Sequence, residues 1–216
     1  MGYAVTFLSR FLSRVTTTEQ GLRYTRDAKI LEQKLQKPNT LYAMADSDFA
    51  GCLDTGKSGK STTGYMIFMN GAVVAYYSAR QSTVALCTAM AETIALTKLV
   101  VKVKHMRALM AGLTHPQEGE TVLNSTCVWT DNTATLSVAK GDNFTHEMVK
   151  YVTVKVQFLQ ECIKRNSITL VHIKKAQNTA DILTKQIAEV IFKIHLNYSL
   201  GYSEENLPGL TAAVYL

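Results

Sequence analysis

Residues 44–96 read MADSDFAGCLDTGKSGKSTTGYMIFMNGAVVAYYSARQSTVALCTAMAETIAL, and the architecture is decided within them. Leu41–Asp48, overlapping the start, is mostly apolar and of strand length, and residues 51–60 form a Gly/Lys loop. Ser61–Met69 and Ala72–Ser78 are rich in aromatic and β-branched residues and flank Asn70-Gly71. Asn-Gly between β-rich segments is the strongest short hairpin signal, so the uncharged run 61–79 predicts a hairpin and not a membrane span. From Thr83 to about Gly112, apolar residues recur at three- and four-residue spacing: Ala91, Ile94, Ala95 and Leu99, then Met106, Leu109, Met110 and Leu113. That period predicts one long helix, closed by Gly112 and Pro116.

Downstream, the pattern predicts a strand at Ser125–Thr130, helices at Asn132–Lys140 and His146–Arg165, and a last strand at Ile168–Ile173. A final helix is expected from Asn178, with Leu183, Ile187, Val190 and Ile191 as its apolar stripe. Three strands joined by short loops can form an antiparallel meander. The two later strands, each reached through helices, should run parallel to the first. The expected fold class is α/β: a mixed five-stranded sheet, three strands antiparallel and two parallel, flanked by helices. Residues 1–40 are expected to be a leader or connecting segment, 41–201 the domain and 202–216 a tail.

At 216 residues and 47% hydrophobic, the chain suffices for one sizeable core. Its net charge of +6 comes from 23 basic and 17 acidic residues, concentrated in 1–40 and 140–175. That balance fits a polyanionic partner and ordinary solubilising charge about equally. Cys52, Cys87, Cys127 and Cys162 lack metal-ligand spacing and read as reduced thiols of an intracellular protein, cytoplasmic or nuclear. Arg10 and Arg14 interrupt the apolar run a secretion signal needs, and no membrane partner is expected.

Four acidic residues stand where strands or helices would hold them together: Asp46 in AMADSDFAG, Glu92 in TAMAETIAL, Asp131 in CVWTDNTA and Asp181 in NTADILTK. Three lie in apolar stretches, where an unpaired carboxylate costs several kcal/mol to desolvate. Asp46 and Asp131 fall at the carboxyl ends of strands expected to be parallel, the edge at which open α/β sheets bind ligands. A shared site would need divalent cations, and two Mg²⁺ ions suit oxygen ligands and phosphoryl chemistry. Each residue alone has a structural alternative. Asp181 follows Asn178 at capping-box spacing, Asp131-Asn132 could cap a helix, Asp46 or Asp48 could serve a turn, and Glu92 could lie on a solvated helix face. Gly51–Ser58 also fits the phosphate-loop pattern G-x-x-x-x-G-K-[ST], but a hairpin strand is predicted where that motif needs a helix.

The run 44–96 closely resembles the ribonuclease H domain of copia-type LTR retrotransposon polyproteins. WTDNTATLSVAK and QNTADILTK resemble that family's later blocks, in the same order, over roughly residues 41–201. The resemblance implies an RNase H fold and endonucleolytic two-metal hydrolysis of the RNA strand of RNA–DNA hybrids. Asp46, Glu92, Asp131 and Asp181 would be the catalytic, metal-binding carboxylates, with Mn²⁺ able to replace Mg²⁺. It also implies a hybrid as partner and a reverse transcriptase module alongside. Ser82, Asn132 and Gln177 are candidates for 2′-hydroxyl contacts, and Lys57, Lys60, Lys102, Lys104 and Arg107 for phosphates. Departures from the family pattern point to a fragment or a diverged or domesticated copy. GKSGKSTTGY carries an apparent insertion, AMAET replaces TEAEY, and Lys150-Tyr151-Val152 and Gln157 stand where the family tends to show a KHI…H pattern. Two functions therefore stay open: a nuclease, or a catalytically decayed module that binds nucleic acid or protein. His172 reads as a packed or surface residue of the last strand.

Overall fold

The computed structural model describes residues 41–51, 59–69, 72–114, 123–141 and 146–200. Five strands, β1 (Leu41–Asp48), β2 (Thr62–Met69), β3 (Ala72–Arg80), β4 (Thr126–Thr130) and β5 (Ile168–His172), form one sheet in the order β3-β2-β1-β4-β5. β1–β2 and β2–β3 pair antiparallel, whereas β1–β4 and β4–β5 pair parallel. The helices are α1 (Thr88–Thr114), α2 (Thr133–Lys140), α3 (His146–Lys164) and α4 (Glu189–Leu200). Two short 3-10 turns, Lys175–Gln177 and Thr179–Leu183, lie between β5 and α4.

β1 is central and buried on both faces, which explains its near-continuous apolar run. Leu41, Ala43 and Ala45 pack with Leu96, Leu99, Val100 and Val103 of α1 and with Leu159 of α3. The alternate residues Tyr42 and Met44 pack with Phe68, Trp129, Ala180 and Tyr198 on the opposite face. There the Tyr42 and Phe68 rings stack at 4.7 Å, and Tyr198 of α4 meets Phe68 edge-on at 5.5 Å. Helices α1 and α3 thus cover one face, and the second 3-10 turn with α4 covers the other.

Three local expectations need correction. α1 begins at Thr88, five residues later than its period suggests, and the irregular connection before it starts at Gln81. That side chain is buried and donates Nε2 to Thr63 Oγ1 (3.1 Å) and to the Ala91 carbonyl (2.9 Å), tying β2 to the first turn of α1. In the second half of α1 the apolar stripe holds only in part: Met106 and Met110 pack against the core, but Leu109 and Leu113 are exposed, while Arg107 is buried. Arg107 donates to the Asn124 carbonyl (2.6 Å), Thr126 Oγ1 (3.0 Å) and the Leu123 carbonyl (3.2 Å), satisfying the backbone that leads into β4. It therefore anchors a loop rather than facing solvent for phosphate.

The last helix starts at Glu189 and not at Asn178, which caps only a 3-10 turn by accepting from Ala180 N–H (3.3 Å). The expected stripe is absent: Leu183 belongs to that turn, Val190 and Ile191 are exposed, and α4 buries His195, Tyr198 and Ser199. The phosphate-loop reading fails because strand β2, and no helix, follows. Lys57, Cys52, the Asn70-Gly71 tip, the 1–40 segment and the 202–216 tail lie outside the described residues. No helix among the described residues is long and apolar enough to cross a membrane.

Candidate active site

Adjacent parallel strands bring their carboxyl ends to one edge, and β1 and β4 do so here. Asp46 lies near the end of β1 and is 2% exposed; Asp131 immediately follows β4. Glu92, in the second turn of α1, is 5% exposed and reaches the same edge. Ligand atoms of Asp46, Glu92 and Asp131 all lie within 4.8 Å of one another. Ser47 N–H donates to Glu92 Oε1 (3.3 Å), while the buried Oε2 has no hydrogen-bond partner among the described residues.

Asp181 reaches this edge from the second 3-10 turn, on the opposite face of the sheet from α1. The turn is fastened by residues close to it in sequence. Thr184 Oγ1 hydrogen-bonds the Asp46 carboxylate and also lies 3.1 Å from the Asp181 carbonyl. Lys185 Nζ is 2.9 Å from Asp181 Oδ1 and 3.7 Å from Asp46 Oδ2. Asn178, fully buried, donates Nδ2 to the Ala45 carbonyl (2.9 Å) and to Asp131 Oδ1 (3.3 Å). The turn can come this close only because Gly64, the β2 partner of Asp46, has no side chain. A Cβ there would stand 2.6 Å from Thr184 Cγ2, 2.9 Å from Leu183 Cβ and 3.0 Å from the Ala180 carbonyl oxygen.

Crowding carboxylates away from water favours their protonated forms. Burial, then the charges of Asp46 and Asp131, push Glu92 up to about 9. Burial and Asp46 push Asp181 up to about 6 against the opposing pull of Lys185. Asp131 is raised by burial and by Asp46, and Asp48 chiefly by burial. Lys185 loses by burial but gains more from Asp46, Asp181 and Asp131, and its net shift is upward. Three converging carboxylates, one with a buried oxygen lacking a partner, form a donor set suited to a hard divalent cation, and the residues fit such an ion.

The remaining sequence candidates are scattered. Asn132 caps α2, its Oδ1 accepting from Thr135 N–H (2.8 Å), so that side chain has a structural task beside Asp131. Gln177 is buried just before Asn178, Lys60 is half-buried ahead of β2, and Ser82 is exposed between β3 and α1. Lys104 lies 5.9 Å over the Phe158 ring. His172, at the end of β5, is exposed. Asn178, Thr184 and Lys185 were missed by sequence reasoning. Their only signal is proximity to Asp181: three residues before, and three and four after.

No family model matches the chain. It is 27% identical over 155 residues to the "Retrovirus-related Pol polyprotein from transposon TNT 1-94" of Nicotiana tabacum, covering 71% of this chain and 11% of that protein. It is 24% identical over 200 residues to the Pol polyprotein from transposon RE2 of Arabidopsis thaliana, covering 89% of this chain and 13% of that protein. The chain thus spans little more than a tenth of the length of these curated relatives. Among solved structures, RNase H1 from Halobacterium salinarum superposes with a TM-score of 0.49 at 16% identity, covering 67% of this chain and 94% of that one. The homologues are Pol polyproteins of copia-type retrotransposons, as the sequence blocks led one to expect. The sheet order and its antiparallel and parallel pairs match an RNase H-like fold.

Proposed function

We propose that this chain is the ribonuclease H domain of a copia-type retrotransposon polyprotein, or a diverged copy of one, and that it hydrolyses the RNA strand of RNA–DNA hybrids. One observation carries the proposal: ligand atoms of Asp46, Glu92 and Asp131 lie within 4.8 Å at the carboxyl edge of the sheet, and Glu92 presents a buried, unpartnered oxygen. With Asp181 beside them, these residues would hold two divalent ions, Mg²⁺ or Mn²⁺. When bound, such ions supply the positive charge that phosphodiester hydrolysis needs at its attacking and leaving oxygens. Asn178 keeps the Asp131 carboxylate oriented, Ser47 N–H does the same for Glu92, and Thr184 for Asp46.

The hybrid is the proposed substrate, with a reverse transcriptase module as the natural neighbour. An intracellular setting, cytoplasm or nucleus, is proposed with it on the sequence spacing of the cysteines. The test is cleavage of a labelled RNA–DNA hybrid in Mg²⁺ by this chain and by Asp131→Asn. Cleavage by the parent alone is the expected result. Hybrid binding without cleavage by the folded parent would overturn the enzyme reading and favour a binding module.

A further inference from the structure

Helix α1 has an outer face that the other described residues leave open. Val101, His105, Ala108 and Gly112 recur at spacings of four, three and four, so they line one side of the helix, with Leu109 and Leu113 beside them. All six are exposed, Val101 at 56%, Leu109 at 50% and Leu113 at 85%. No lysine, arginine or carboxylate stands in this row, although a solvated helix face normally carries them. Gly112 has open space where a Cβ would be, so no described neighbour requires its missing side chain, which costs helix stability relative to alanine. Small residues at 108 and 112 allow a second helix to approach closely.

We infer that this face is the docking site of the chain's own residues 24–37, folded as an amphipathic helix. They read YTRDAKILEQKLQK, in which Tyr24, Ala28, Leu31 and Leu35 fall at the same four-three-four spacing, with Ile30 to one side. Neither Gly nor Pro interrupts the run, and Pro38 ends it. A helix of about 14 residues is marginal alone in water and needs an apolar surface to lie on. Its tether brings it to this one. α1 starts beside the carboxyl end of β1, where Ser47 N–H meets Glu92, and runs back across the sheet. Arg107 lies at the opposite edge, bonded to Thr126 at the start of β4, whose next residue, Cys127, pairs with Tyr42 at the start of β1. Leu109 and Leu113 stand within two turns of Arg107, and only residues 38–40 separate the segment from Leu41, roughly 13 Å at full extension. Other residues outside those described supply no matching face: 115–122, HPQEGETV, is polar, and 201–216 leaves α4 on the far side of the sheet. Chain preceding residue 24 is then anchored on α1, at the end of that helix remote from Glu92.

Amide hydrogen exchange of the full chain, read by mass spectrometry of peptic fragments, tests the contact without reference to cleavage. Residues 27–37 are expected to exchange about tenfold or more slowly than an unstructured chain. Leu109→Ser combined with Leu113→Ser, both at exposed positions, is expected to bring them within about twofold of the unstructured rate while β1 and β4 keep parental protection. Leu31→Ser combined with Leu35→Ser, which leaves α1 untouched, is expected to do the same. Exchange of residues 27–37 at the unstructured rate in the parent overturns the inference. So does protection that survives the Leu109 and Leu113 changes, which would place the segment elsewhere. Protection that rises with protein concentration, with a dimer seen in sedimentation, gives the face to a second copy and overturns it as well.

Discussion

Glu92 has an ionisation opposite to its usual one: burial and its acidic neighbours carry it from 4.5 to about 9, so at neutral pH and without metal it is a neutral acid. Relative to the unfolded chain, the fold retains a proton between those two values. The stability this group permits is therefore complete below pH 4.5 and is eroded as pH rises toward 9. Asp181, raised to about 6, adds to the loss in its own window. The chelated protein is expected to melt at falling temperature across this range, and Mg²⁺ should reverse the fall. Glu92→Gln imitates the neutral acid, so its metal-free melting temperature should match the parent near neutrality and fall less on the alkaline side. The same variant should lose the stabilisation by Mg²⁺. A parent whose chelated melting temperature rises from pH 5 to pH 9 would contradict this account. The four carboxylates were legible in the sequence because charged residues inside apolar runs stand out. Asn178, Thr184 and Lys185 were not, since their roles depend on contacts with β1, over a hundred residues away.

Among the elements, β1 was read to the residue because burial on both faces leaves a dense apolar run with polar ends. The far half of α1 and the start of α4 were misread for separate physical reasons. A buried arginine interrupts an apolar stripe without leaving a signature when its partners are carbonyls of a distant loop. An asparagine cap looks the same in sequence before a 3-10 turn as before an α-helix. The turn bearing Asp181 rests on β2 at Gly64, where an added methyl would meet both a side chain and a backbone carbonyl at 3.0 Å or less. Gly64→Ala is expected to destabilise the protein by about 1–3 kcal/mol and to weaken binding of divalent ions by pushing Asp181 and Lys185 off the edge. Chemical denaturation with a parallel Mn²⁺ titration checks both. Full stability together with parental ion binding would show that the contact yields without consequence.

At the scale of the whole molecule, both faces of the sheet are covered, and the site opens at one edge, where helices and turns from both layers meet. The chain carries a net charge of +6 despite that acidic pocket, so attraction for a polyanion must come from basic residues elsewhere on its surface. If phosphate contacts dominate, hybrid affinity of the Asp131→Asn variant should fall about tenfold or more between roughly 50 mM and 200 mM salt. Filter binding across that range measures it, and a flat response would exclude phosphate-driven recognition.

Asn178 reaches the Ala45 carbonyl across 133 residues of chain. Ribosomes deliver the meander and α1 first, so a growing chain holds Asp46 and Glu92 long before Asp131 and Asp181 emerge. The carboxylate edge is therefore completed only by the last fifth of residues 41–200, after the rest has been made.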